Sequence, residues 1–263
     1  MPAPAERPHH DDANAPLVRT EGGRRTLEFT PGDIQSEMLV SRPDALVLDY
    51  TRAMMCFALF APRPCHIVMA GLGGGSLAKF CYRHFPDARI TVLEIRADVI
   101  ALREDFCLPP DDARLRVLHC DAADYLARTP GDTDVLLVDG FDSCGLPPAL
   151  RSRDFYGACR RALRPGGVLV ANIFTYDPDY VTALQRMDAA FDGRLAWFNH
   201  IAGNNRILFA VRPHAPGTSA GRAERLLLRL GRGDATRGRG GYGLGWSNRL
   251  LARLLVIWLS CRT

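Results

Sequence analysis

From residue 66 onward, short apolar runs alternate with segments in which apolar residues recur every three or four positions. That alternation predicts a mainly parallel sheet wrapped by helices, because strands buried on both faces read as continuous apolar runs and covering helices carry one apolar stripe. Strands are predicted over 66–70, 89–95, 115–119, 135–139 and 167–173, with helices over 76–84, 97–106, 122–127, 152–163 and 179–191. Two further strands, 195–200 and 207–211, can pair around Gly203-Asn204-Asn205 and close the sheet, so the regular architecture is complete by about Arg212. Ahead of this body, segments 25–29 and 33–39 flank Pro31-Gly32 and read as a β-hairpin. A helical pattern over 48–60 follows and stops at Pro62 and Pro64, whose rings cannot continue a helix.

Composition divides the chain of 263 residues further. Residues 1–22, rich in Pro, Ala and charge, are expected to be disordered; 23–62 form the hairpin and linking helix; 63–213 form the main α/β domain. Residues 214–263 are Gly/Arg-rich and show no further strand pattern, so a weakly ordered tail is expected there. The formal net charge of +4 belongs to that tail, which holds nine Arg against Glu224 and Asp234; the first 213 residues carry −3. The body therefore offers no basic surface for nucleic acid, and a polycationic small molecule would suit it electrostatically. Eight cysteines without a C-x-x-C pair point to a reducing, cytoplasmic setting. No signal peptide is read at the N-terminus, and the longest apolar run, 250–259, falls short of the roughly 20 residues a membrane span needs. The histidines show no ligand spacing, His9-His10 lacks a converging third ligand, and no metal is expected.

The chemistry gathers at the carboxyl ends of the predicted strands. The first strand runs into Gly71-Leu72-Gly73-Gly74-Gly75 and a helix beginning at Ser76. Glycines there let the backbone approach a ligand, and the helix start presents free N–H groups, which makes a Rossmann-like nucleoside site; a merely tight turn is the plainer alternative. Glu94 closes the second strand about 20 residues beyond the glycines, where a carboxylate can accept from both ribose hydroxyls. A dinucleotide site is disfavoured, since its motif would need Gly or Ala where Ser76 stands. Asp121, with Ala122 after it, can accept from an adenine amino group or cap the following helix, and both roles can coexist. Asp139 and Asp142 follow the fourth strand and could hold a cationic amine and take its proton as it attacks a carbon next to a sulfonium; a turn-forming Asp142 is the plainer reading.

Taken together, Gly71 to Leu77, Leu93-Glu94-Ile95, the segments 121–126 and 135–142, Phe155-Tyr156 and Leu163-Arg164-Pro165-Gly166-Gly167 resemble the spermidine synthase (polyamine aminopropyltransferase) family, in a divergent form, over about residues 24–212. The resemblance implies a sheet of the S-adenosylmethionine-methyltransferase type behind a small N-terminal β-domain. It further implies transfer of an aminopropyl group from decarboxylated S-adenosylmethionine to putrescine, and a homodimer or homotetramer. Carried over by motif, Glu94 would hold the ribose, Asp121 and Ala122 the adenine, and Gln35 with Gly71, Gly73 and Gly75 the rest of the donor. Asp139 would be the base, Asp142 its assistant, and Tyr50 and Tyr156 would meet the acceptor.

Three departures separate the chain from that pattern. Gly73 aligns with a family Asp that grips the donor's free amine, Tyr50-Thr51-Arg52 replaces Tyr-His-Glu, and Gly140-Phe141 follows Asp139 in place of small hydroxyl residues. The missing acids leave ordinary S-adenosylmethionine open as the donor, with methyl transfer or non-catalytic nucleoside binding as alternatives; one fold hosts many reactions.

Overall fold

The structure is a computed structural model and describes residues 15–140, 146–202, 205–215, 221, 223–226 and 245–261. Strands β1 (Leu17–Glu21), β2 (Arg24–Glu28) and β3 (Ile34–Leu39) form an antiparallel meander. Helices α1 (Asp49–Met54) and α2 (Phe57–Phe60) lead from it into the main domain. There, β4 (His66–Ala70), α3 (Ser76–His84), β5 (Arg89–Glu94), α4 (Ala97–Ala101), β6 (Leu115–His119), α5 (Ala122–Arg128) and β7 (Thr133–Val138) alternate. A 3-10 turn (Pro148–Arg151), α6 (Arg153–Ala162), β8 (Leu163–Phe174), α7 (Tyr180–Ala190), β9 (Leu195–Ala202) and β10 (Asn205–Val211) complete the domain, and α8 (Gly245–Ser260) follows.

The large sheet has the order β6-β5-β4-β7-β8-β10-β9, parallel as far as β8 and antiparallel where β10 inserts beside it. Because β4 is flanked by β5 on one side and β7 on the other, the chain reverses its winding between β4 and β7. A crevice opens there at the carboxyl ends of the strands. The central strands β4 and β7 are buried at every residue; apart from the buried polar residues that open them, His66 in β4 and Thr133-Asp134 in β7, they read as apolar runs.

Two buried clusters fill the faces of the sheet. Ile67, Met69, Leu137 and Phe209 point to the face covered by α1 to α4, where Phe57, Phe60 and Phe80 pack. Val68, Leu136, Leu169 and Leu208 point to the face covered by α5 to α7, with Phe155, Tyr156 and Trp197. The N-terminal meander joins the first cluster through Leu27, Phe29 and Met38, so β3 is held over the start of α3 and cannot drift from the crevice. Lys79 of α3 is drawn into this contact, donating to the Phe106 carbonyl at 2.5 Å beside the Met38 sulfur.

Three expectations need correction. Residues 17–21, expected to be disordered, form β1, an edge strand in register with β2 from Leu17↔Glu28 to Glu21↔Arg24. The single helix expected over 48–60 is two helices broken at Met55-Cys56. The tail expected to be weakly ordered contains α8, which buries Ala252, Leu255 and Leu259 and sets Arg253 3.7 Å from Asp49 of α1. Its opposite side leaves Leu250, Leu254, Ile257 and Trp258 exposed, so no polar stripe announces the helix as amphipathic. Residues 1–14, with His9-His10, and 227–244 lie outside the described residues.

Candidate active site

A cavity of about 870 Å³ lies at the reversal point, roofed by the Asp33–Ser36 segment and floored by the ends of β4, β5, β7 and β8. The Gly-rich loop forms its inner wall. Gly71 has φ +101, and a Cβ placed on it would stand 2.4 Å from the Asp139 carbonyl oxygen, so only glycine lets the ends of β4 and β7 lie this close. Gly73, also at positive φ, faces Ser36 of β3, and both line the cavity. Gly75 does not line it; it caps α3 in the left-handed conformation, with Leu108 packed against its α-carbon, and its role is in the turn.

Glu94 stands at the end of β5 with 8 % of its surface exposed. Its two carboxylate oxygens accept from the backbone N–H of Leu72 at 2.8 Å and of Arg96 at 2.9 Å. The carboxylate thereby braces the Gly-rich loop while each oxygen keeps a lone pair for a hydroxyl in the cavity. Of the two roles left open for Asp121, the structure shows the cap: its Oδ1 accepts from Ala123 N at 2.6 Å at the start of α5, and the residue lines the cavity beside Ala122. Gln35 lines the roof and donates to Asp33 Oδ2 at 2.8 Å.

At the other end of the cavity, Asp139 follows β7 directly. Its Oδ1 accepts from Asn172 Nδ2 at 2.9 Å, and Asn172 Oδ1 accepts in turn from Asn205 Nδ2 at 3.0 Å. The Tyr50 hydroxyl donates to the same carboxylate from α1. Burial pushes the Asp139 carboxyl above the usual carboxylate range, and the two donated hydrogen bonds pull it partly back. Burial, and then the neighbouring Asp139 charge, hold the Tyr50 phenol well above its ordinary value, so it remains a donor. No ion pair joins Asp139 to a cation among the described residues, and the residue lines the cavity.

Tyr156 departs from its expected place. It is 1 % exposed on α6, packed with Phe155 on the far face of the sheet, and does not line the cavity. Burial raises its phenol as well. The helical period that carries Phe155 into the core carries its neighbour there too, because α6 lies between α5 and α7. Arg52 is likewise absent from the cavity wall: its guanidinium turns back onto the Leu46 and Val47 carbonyls and the Asp49 carboxylate. Asp142 lies outside the described residues. Sequence reasoning missed Asn172 and Asn205. The signal was available at Asn172, a lone carboxamide inside the apolar run Val168-Leu169-Val170-Ala171-Asn172-Ile173.

With this geometry in place, comparison with known proteins is decisive. The sequence model for the spermine/spermidine synthase domain matches residues 48–191. A polyamine aminopropyltransferase from Chromobacterium violaceum is 37 % identical over 235 residues, covering 89 % of this chain and 88 % of the relative. The chain belongs to the spermine/spermidine synthase family.

By that membership it is a transferase. A polyamine aminopropyltransferase from Neisseria meningitidis is 38 % identical over 180 residues, 68 % of each chain. Among solved structures, a probable spermidine synthase from Corynebacterium glutamicum superposes with TM-score 0.66 at 21 % identity, covering 90 % of both chains. Human methyltransferase-like protein 13 in complex with SAH gives TM-score 0.56 at 24 % identity over 76 % of this chain and 97 % of that one. These likenesses show the shared fold, a methyltransferase-type sheet behind an N-terminal β-meander. No group of three or more potential metal ligands occurs among the described residues, and no described helix is long and apolar enough to cross a membrane.

Proposed function

We propose that the protein moves an aminopropyl group from decarboxylated S-adenosylmethionine to a short polyamine such as putrescine, in the cytoplasm. The observation that carries this reading is the Asp139 carboxylate, without a cationic partner among the described residues, held by Tyr50 and Asn172 at the strand reversal, with the Gly71 backbone against its own. The donor's adenosine would lie along Glu94, Asp121 and Ala122, and its sulfonium-bearing arm would reach past the Gly71–Gly73 turn toward Asp139. The acceptor nitrogen's lone pair then forms a bond to the aminopropyl carbon as that carbon's bond to sulfur breaks. The bonding pair stays on sulfur as the neutral thioether methylthioadenosine, and the proton lost by nitrogen passes to Asp139. Most of the acceleration is positioning, since the sulfonium is already a good leaving group.

Charge supports a cationic donor arm and acceptor over intact S-adenosylmethionine. Among the described lining residues, Asp33, Glu94, Asp121 and Asp139 stand against one guanidinium, that of Arg96, which stacks over Phe29 and pairs with Asp98, while a fifth acid, Asp49, is already paired with Arg52. Arg52, the candidate partner for a donor carboxylate, points elsewhere. Gly73 supplies no carboxylate for the donor's amine, but Asp33 lines the same cavity from its roof.

Incubation with decarboxylated S-adenosylmethionine and putrescine, read by mass spectrometry, is expected to give spermidine and methylthioadenosine. Asp139→Asn should lower the rate about 100- to 10,000-fold while methylthioadenosine binding is retained. A methylated product from the intact donor, with no aminopropyl product from the decarboxylated one, would overturn the reading.

A further inference from the structure

The rim of the cavity built by β8, its continuation and β10 carries no charge among the described lining residues: it presents Asn172, Phe174, Tyr176 and Asn205. Asn172 and Phe174 are two positions apart on β8 and project from the same face of the sheet, where Asn205 lies directly opposite Phe174. Asn172 touches Asp139, so Phe174 stands about 7 Å further along the strand than the group beside the base. Tyr176 continues this line: its ring stacks on Phe174 with centroids 5.1 Å apart and planes at 11°. Tyr176 is 65 % exposed, an unusual state for a large aromatic residue that lines a cavity.

We propose that the Phe174–Tyr176 pair is the specificity element for the acceptor, receiving its distal ammonium against the aromatic faces while its reacting nitrogen sits at Asp139. The inference rests on the aminopropyltransferase reading. An ammonium over an aromatic face within about 6 Å is attracted by the ring quadrupole without needing a carboxylate. The spacing along β8 matches a four-carbon diamine, whose two nitrogens stand about one such two-residue step apart. The exposure of Tyr176 leaves the distal ammonium partly hydrated, so that its desolvation cost stays small. Asp177, next in sequence, is spent on Arg151 at 3.0 Å and does not line the cavity.

The test compares wild type, Tyr176→Ala and Tyr176→Phe with decarboxylated S-adenosylmethionine as donor and three acceptors: 1,3-diaminopropane, putrescine and n-butylamine. Wild type is expected to show its lowest KM for putrescine. Tyr176→Ala should raise that KM about tenfold, leave kcat within about twofold, and leave the KM for butylamine, which has no distal cation, unchanged. Tyr176→Phe should behave as wild type. Equal KM increases for putrescine and butylamine would show an apolar wall and overturn the proposal, as would no change for either. Wild-type protein that forms no aminopropyl product from any acceptor would remove the transferase reading itself, a result distinct from any change confined to Tyr176 variants.

Discussion

Replacing Asn172 by Leu tests how Asp139, the proposed base, is tuned. Asn172 is 2 % exposed and donates to Asp139 at 2.9 Å, and Leu fills nearly the same volume without a donor. A hydrogen bond to a charged group contributes about 1.5–3 kcal/mol, and loss of this donor removes that support from the charged form alone, so the Asp139 pKa should rise further. If transfer requires the carboxylate, the acidic limb of the kcat/KM profile should move to higher pH. Tyr50→Phe, which removes the second donor, should shift it in the same direction. The assay is initial-rate aminopropyl transfer from pH 5 to 9, with methylthioadenosine binding measured alongside as a check on the nucleoside end. A uniform fall in rate with the limb unmoved would refute the reasoning and reduce Asn172 to a packing residue.

The same raised pKa has a thermodynamic consequence of definite sign. Because the folded value lies above the unfolded one, the unfolded chain gives up the Asp139 proton first as pH rises. Folding is unpenalised below the unfolded value, increasingly penalised up to the folded value, and fully penalised above it. Asp139→Asn should therefore raise the melting temperature at neutral pH and lose that advantage at the acid end. The variant expected to slow transfer would then be the more stable protein, the trade-off expected where a site holds a charge for chemistry.

Three further outcomes follow from other parts of the fold. Gly71→Ala must relieve a 2.4 Å approach to the Asp139 carbonyl at positive φ, at a cost of about 3 kcal/mol, and should weaken nucleoside binding along with urea stability; retention of both would refute the close-approach argument. Burial depresses the Lys79 pKa to about 8, so the unfolded chain binds the extra proton between that value and about 10.5, and stability should rise across this window by about 3 kcal/mol; Lys79→Met should abolish the rise in pH-dependent urea denaturation. Leu259→Ala, on the buried side of α8, should cost about 2–4 kcal/mol, whereas Leu254→Ala on its exposed side should stay within about 0.5 kcal/mol; equal effects would mean that α8 does not dock as described.

What could be read from the sequence was whatever local chemistry dictates. The passage from β4 through the glycines into α3 is set by residues within ten positions of one another, and its strand and helix bounds coincide with those expected. The carboxylates at the ends of β5, β6 and β7 were legible for the same reason, since each closes an apolar run. By contrast, Leu17–Glu21 has almost no buried residue; its strand state comes from backbone pairing with β2, which leaves no periodic mark on a solvated edge. The helix α8 was hidden by apolar residues on all sides, because docking on α1 and β9 decides which of them are buried. Tyr156 was misplaced because a motif fixes the position of a residue in sequence and not the face of α6 on which it lies. The tuning of Asp139 shows the same limit at the site itself. The Asn205–Asn172 link exists only because β10 pairs antiparallel with β8 in the register Asn205↔Phe174, and a one-residue slip would turn Asn205 to the opposite face. Strand ends thus locate the carboxylates proposed to hold the donor, while the end proposed for the acceptor, with its carboxamides, is created by pairing between segments about 33 residues apart.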